Sequence, residues 1–285
     1  MRNRADNSGA AALPISTTSR WGNALSTFLR IALGLALGLA IWQVMAMVMD
    51  ASGAALEFPK PIQTFRRLGE YLFFGRSLYG HSIYAHLLAS VKRLIAGFGL
   101  ASIVGVSIGS LMGYFGRIYQ IGMVPVSVYQ MIPGLAWLPV AILLFGLGDK
   151  SAIFIIFAVS SMVIIIGVSG AIRMVPPVMV NAAKMSGARG LTVFTRVLVP
   201  QAASSIVNAL RLGMASAWRV LIAAEMVVGT GIGLGCSIQL TRDLLDYLGS
   251  FACITVICLF GLLVDRVILA GAERWIRMRL GMESG

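Results

Sequence analysis

Two ionisable side chains, Arg219 and Glu225, stand deep in one long apolar stretch of the chain, and Pro133 and Pro139 interrupt another. Placing a charge in hydrocarbon costs roughly 2.5–3.5 kcal/mol on insertion scales, so such a residue is either paired or set beside a polar pathway. Arg219 and Glu225 are six residues apart, about 120° around a helix, so they are not i,i+4 partners. Pairing with other helices and a place on a solute pathway both stay open for them. Arg211, earlier in the same stretch, is within snorkelling reach of the headgroups. Catalysis would need clustered acids, histidines or nucleophiles, and only Arg219 and Glu225 lie deep, so no catalytic residue is assigned. His81 and His86 lack metal-ligand neighbours, and Cys236, Cys253 and Cys258 form no CxxC. Neither a metal site nor a disulfide framework is expected. No GxxxxGK[ST] loop occurs, so the chain is expected to bind no nucleotide cofactor itself.

The elements that hold these residues belong in lipid. Of 285 residues, 58% are hydrophobic and 12% charged, whereas a soluble domain carries about 25% charged residues. The mean hydropathy is +0.87. The net charge of +12 comes without any run of five basic residues, which argues against nucleic acid and for loops beside anionic headgroups. Apolar runs predict an all-α membrane protein of about six transmembrane helices, near 28–49, 87–114, 119–147, 151–172, 205–228 and 250–269. Residues 1–27 read as a disordered cytoplasmic tail and 28–285 as the transmembrane domain. Between the first two spans, Ile62, Phe65, Leu68 and Leu72 recur at helical spacing, which predicts an amphipathic surface helix. Residues 229–249 read as a glycine-containing loop.

Within the second span Gly97, Ala101, Gly105, Gly109 and Gly113 follow one another every four residues. Such a seam lets helix backbones approach closely. The third span contains Pro125, Pro133 and Pro139. A broken helix survives in a membrane only where protein or a water-lined cavity satisfies its backbone, which puts residues 130–140, Pro133 and Trp137 among them, near a pathway.

The loop over residues 173–203 carries Arg173, Lys184, Arg189 and Arg196 and no acid. By the positive-inside rule it is cytoplasmic, as are both basic termini. The first long loop opposes this assignment, since Lys60, Arg66, Arg67, Arg76, Lys92 and Arg93 fall on the side expected to be external. Pro176-Pro177 can start a short helix, Gly187 can end it, and a second helical stretch is expected to stop before Pro200. Ala182 and Ala183 give the first helix a small face for close approach by a soluble partner.

Here the chain resembles a known family. Asn181-Ala182-Ala183, Gly187 and Val197-Leu198-Val199-Pro200 match in spacing the cytoplasmic "EAA" loop of ABC importer permeases, with Asn181 where the family usually has Glu. Phe58-Pro59-Lys60-Pro61, Ala89-Ser90-Val91-Lys92-Arg93, Ile132-Pro133-Gly134-Leu135-Ala136-Trp137-Leu138-Pro139, Ala217-Trp218 and Ala224-Glu225-Met226 are similar to the nitrate, sulfonate and taurine branch. The resemblance implies a type I, MetI-like permease fold in the bacterial inner membrane. It also implies a second permease copy, two ATP-binding cassette subunits that hold ATP and Mg, and an extracytoplasmic solute-binding protein. Asn181, Ala182, Ala183, Gly187, Val199 and Pro200 would then couple to the ATPase. Pro133, Trp137, Arg219 and Glu225 are the candidate pathway residues for a small anionic solute. An ion-gradient-driven secondary transporter is the alternative; it would show paired broken helices from an internal repeat, and only one broken helix is legible.

Overall fold

The structure, a computed structural model, describes residues 20–53, 58–269 and 271. Most of the expected N-terminal tail and the basic C-terminal segment lie outside them, but residues 20–27 are helical rather than disordered. The chain divides at Pro61 into two units. In the first, α1 (Arg20–Ala51) contains an apolar stretch of 23 residues, long enough to cross ~30 Å of hydrocarbon. Trp42 Nε1 donates to the Pro59 carbonyl at 2.9 Å, and Lys60 pairs with Asp50 at 2.7 Å.

The second unit opens with the short amphipathic α2 (Pro61–Phe73). Its Leu68 and Tyr71 are buried against Leu234, Cys253 and Val256. The long α3 (Ile83–Tyr114) starts where Ser82 accepts from the Ala85 amide, an N-cap that satisfies one orphan donor. The proline-broken span is α4 (Gly116–Met131), a 3₁₀ turn over Gly134–Trp137, and α5 (Leu138–Phe145). The two arms bend by 96°. Ile132 adopts an extended backbone, as the residue before a proline is driven to do. Then come α6 (Asp149–Arg173), α7 (Pro177–Met185), α8 (Leu191–Val193), α9 (Val199–Val227), α10 (Leu234–Asp243) and α11 (Tyr247–Leu263). Five described helices are long and apolar enough to span, six with the broken pair taken as one, in line with the expected number.

Helix α6 is the axle of this unit. The small-residue seam of α3 lies directly on it: a Cβ added at Gly97, Gly105 or Gly113 would stand 2.7–2.8 Å from the Cβ of Ile156, Ile164 or Ile172. These isoleucines also recur every eight residues, with Ser160 and Val168 between them. A β-branched ridge therefore fills a glycine groove, the close packing by which helices associate in lipid. On its other side α6 meets α9, where Gly213 leaves room for Ile164 and Gly167 for Ala209.

Two expectations fail here. Residues 229–249 are not all loop, because α10 forms within them. The helix after Gly190 also does not stop before Pro200. A π-helical turn over Phe194–Leu198 joins α8 to α9, with the Val199 amide reaching the Phe194 carbonyl five residues back. Pro200 has no amide to donate, and the widened turn carries it into the first turn of α9.

Candidate functional site

The broken span and α9 meet at one place. Gly134 sits against both neighbours, for an added Cβ would lie 2.7 Å from Val220 of α9 and 3.0 Å from Val159 of α6. Only glycine lets the turn after Pro133 approach so closely. Tyr129 stacks on Trp137 at 4.3 Å and holds the arms of the bend together. Beside them lies a cavity of about 260 Å³, lined by Gln130, Pro133, Gly134, Trp137, Met162 and Ser216 among others. Arg219, one turn along α9, donates through Nη2 to Ser216 Oγ at 3.3 Å. Pro133 and Trp137 line this cavity, whereas Arg219 lines a separate one of about 200 Å³ with Trp218, Gly261 and Asp265, and it reaches the first through Ser216. The link is Ser216, which the sequence reading passed over because a serine in a small-residue helix is ordinary. Among the described residues no carboxylate is within ion-pair distance of Arg219.

Glu225 stands elsewhere. It is 1% exposed and accepts from Arg93 Nη1 at 2.6 Å, Ser90 Oγ at 2.8 Å and the Gly235 amide at 3.0 Å. Arg93 Nε also donates to Asp149 at 2.8 Å. Around this pair the start of α10 is tied to α3. The Leu234 amide donates to Ser90 Oγ at 2.9 Å and the Gly233 amide to His86 Nδ1 at 3.1 Å. His86 Nε2 therefore carries the proton that it offers to the Leu78 carbonyl at 3.1 Å. The first amides of a helix have no partners within the helix, and here tertiary acceptors supply them. Glu225 closes a buried network and does not line the cavity beside Ser216.

Most of the opposing charges in the first long loop are paired, in separate clusters. Arg93 is a buried member of α3, and Arg66, Arg67 and Arg76 share Glu70, with Arg67 also near Asp246 at 3.7 Å. Arg211 does not need to snorkel, since it forms a bidentate pair with Asp265 at 2.7 and 2.9 Å.

At the other end of the unit, α7 presents Asn181 and Ala182 to the exterior, with Ala183 half-buried. Gly187 has φ +86°. Its amide bonds to Lys184 O and that of Ala188 to Ala183 O, both at 3.0 Å, which is the glycine-terminated C-cap of an α-helix. Val199 and Pro200 are half-buried at the start of α9. Asn181, Ala182, Ala183 and Gly187 share one short element, while Val199 and Pro200 sit at its junction with the membrane helix.

Known proteins resemble this chain in sequence and in fold. Residues 101–277 match the model of the binding-protein-dependent transport system inner membrane component family. An ABC transporter permease protein of Methanocaldococcus jannaschii is 36% identical over 65% of this chain and 69% of its own length. The nitrate import permease protein NrtB of Synechocystis sp. is 29% identical over 84% and 86%. The taurine transport system permease protein TauC of Escherichia coli is 28% identical over 86% and 88%. In structure, the MetNI methionine ABC transporter in an inward-facing conformation is similar with a TM-score of 0.59 and 17% identity, over 66% of this chain and 93% of that one, which places the fold among the MetI-type permeases. With a family match that spans more than half the sequence, relatives across most of its length and a shared helical fold, the chain belongs to the inner membrane components of binding-protein-dependent ABC transport systems.

Proposed function

We propose that the chain is the membrane-spanning subunit of an ABC importer for a small anionic solute, and that Arg219 meets the solute during passage. The observation that carries this reading is the meeting of the broken span with Arg219 through Ser216. Both features are costly in lipid and tolerable beside water or protein. Arg219 lies six residues before Glu225, about 9 Å deeper along α9 than the buried ion pair, and no described carboxylate is within ion-pair distance of it, Asp265 of the same cavity being paired with Arg211. Nitrate is an oxyanion and taurine carries a sulfonate, so the solutes for which two relatives are named fit such a cation.

In this reading two copies of the chain enclose the pathway, and two ATP-binding subunits dock on α7, each placing a surface groove over Ala182 and Ala183. ATP and Mg belong to those subunits, which perform the hydrolysis, and an extracytoplasmic binding protein delivers the solute at the opposite end. Both termini and the 173–203 segment face the cytoplasm. Nucleotide-driven closure reaches α9 through α7, α8 and the π-helical turn, and shifts access from one side to the other.

The test is uptake in cells or proteoliposomes with Arg219→Gln and Arg219→Lys. Gln is expected to lower uptake at least about tenfold, the order of one lost charge-assisted contact, with assembly intact, and Lys to restore part of it. Loss of assembly in the Gln variant, or uptake equal to that of the parent, overturns the assignment of Arg219.

A further inference from the structure

A further cavity, at the end of the unit that carries the 173–203 segment, is lined partly by the coupling route but is assigned no occupant by this transport reading. It is a cleft of about 560 Å³ between the last turns of α3, with Ser107, Leu111, Tyr114 and Phe115, and the stretch that holds Leu191 and Phe194. From Ser107 to Phe115 is about 12 Å along the helix axis. Tyr114 closes one end by donating to the Gly190 carbonyl at 3.2 Å. Its ring stands edge-on to Phe115 at 4.8 Å and to Phe194 at 5.5 Å. Tyrosine and its aromatic neighbours at the end of a span mark the headgroup level, so the cleft runs from that level into the hydrocarbon. Its walls are apolar where they are most open: Leu111 is 47% and Leu191 76% exposed.

The rim is basic. Arg189 adjoins the lining residue Gly190, and Arg117 is two residues beyond Phe115; both are exposed, as are Lys184 and Arg196. Among the described residues none of these four side chains has a hydrogen bond or ion pair. From Tyr71 to Ala224 the only acid in the sequence is Asp149, at the far end of α6, about 37 Å along that helix. No carboxylate from these segments competes for the cations.

An apolar slot that enters the hydrocarbon under an acid-free basic rim has the chemistry of one occupant. We propose that the cleft binds an anionic phospholipid, with one acyl chain between α3 and the coupling segment and the phosphate held by Arg189 and Arg117. Basic pockets between helices on the cytoplasmic side hold anionic headgroups by this combination. The inference rests on the proposed function only in taking the 173–203 segment as the cytoplasmic side. Because the lipid would touch α3 and the residues just before the π-helical turn, it would make coupling depend on the anionic lipid content of the inner leaflet.

The test is native mass spectrometry of the purified full chain in detergent, with phosphatidylglycerol and phosphatidylcholine offered in competition. Lipid retention is read without transport, so failure of the importer assignment and failure of this one are separable. Preferential retention of phosphatidylglycerol is expected, reduced about fivefold for each of Arg189→Gln and Arg117→Gln, the order contributed by one basic residue near an anionic surface. Ser107→Trp fills the slot, leaves the charges in place, and is expected to abolish retention. Size-exclusion profiles confirm that each variant is folded, and the exposed positions of Ser107, Arg117 and Arg189 make that outcome the expected one. Equal retention of both lipids overturns the proposal, as does retention indifferent to all three substitutions. So does a photo-crosslinker at Leu191 that captures a second copy of the chain or another segment of it in place of lipid.

Discussion

Arg93 illustrates how an unremarkable basic residue becomes central once its partners are known. It is 6% exposed and serves two carboxylates of unlike burial: the side chain of Glu225 is fully buried and that of Asp149 is 62% exposed. Removing one partner of a buried pair leaves an uncompensated charge, at a cost of about 3–5 kcal/mol. Glu225→Ala is therefore expected to lower the thermal midpoint of the purified protein sharply. Asp149→Asn should cost no more than about 1 kcal/mol, as an exposed pair does. Equal effects would mean that burial does not govern the pair. Asn181 poses the opposite case, since it is exposed on α7 and its side chain makes no described bond that a charge would break. Asn181→Glu should leave the fold unchanged and, if the ATPase groove keeps a facing cation, strengthen association in a salt-dependent manner. Pull-down of the ATP-binding subunit at low and high salt measures this, and loss of assembly at both would show a groove rebuilt around a neutral residue. Of these relations the sequence shows only which residues are in conflict with lipid. The spacing of Arg219 and Glu225 excludes their pairing along one helix, but Arg93 lies 132 residues from Glu225, beyond the reach of any local rule.

Among the elements, α3 is the most legible, because a small residue every fourth position, Gly97 to Gly113, has a physical consequence that does not depend on the partner. The partner itself, a ridge of β-branched residues, becomes visible only when α6 is laid against it. Gly105→Ile places a branched side chain where even a Cβ would stand 2.8 Å from that of Ile164. The expected result is loss of the folded protein in detergent, read as aggregation on size exclusion. Ile103→Ala, at a position 69% exposed on the same helix, should be tolerated. A stable Gly105→Ile variant would show that the two helices can separate without cost. The break at Pro133 was equally legible, since proline acts on its own backbone and on the residue before it. Helix α10 was not, for it is short, begins in glycines and owes its first turn to His86, Ser90 and Glu225 of other helices. The π-helical turn is not legible either, for a related reason. Proline at position 200 announces a disturbance of helical bonding, and the sequence alone does not say whether the chain ends its helix or widens it.

At the scale of the whole molecule, the unsatisfied feature is a face of α9. Gln201, Ser205, Asn208, Leu212, Ala215 and Arg219 are all exposed and follow one another at alternating spacings of four and three residues. That spacing forms a single stripe along a helix. Outward-facing Asn and Arg on a spanning helix are expensive in lipid, whereas small and polar residues are common where helices meet each other or water. A second copy of the chain, set against the first across this stripe, would remove Leu212 and Ala215 from lipid. It would also bring two Arg219 side chains toward one solute route. Single cysteines at Leu212 and Ala215, in a background with the three native cysteines replaced, test the arrangement directly. Oxidative cross-linking in native membranes should give a dimer from one or both positions, while a cysteine at Ile103, on the outer face of α3, should give none. Labelling of cysteines at Met131 and Leu135 by a water-soluble reagent reports independently on the broken span, and its rate should change when ATP is supplied to the assembled transporter. Efficient dimer formation from Ile103 but not from α9 would move the second copy to another face and leave Arg219 without the shared route proposed for it.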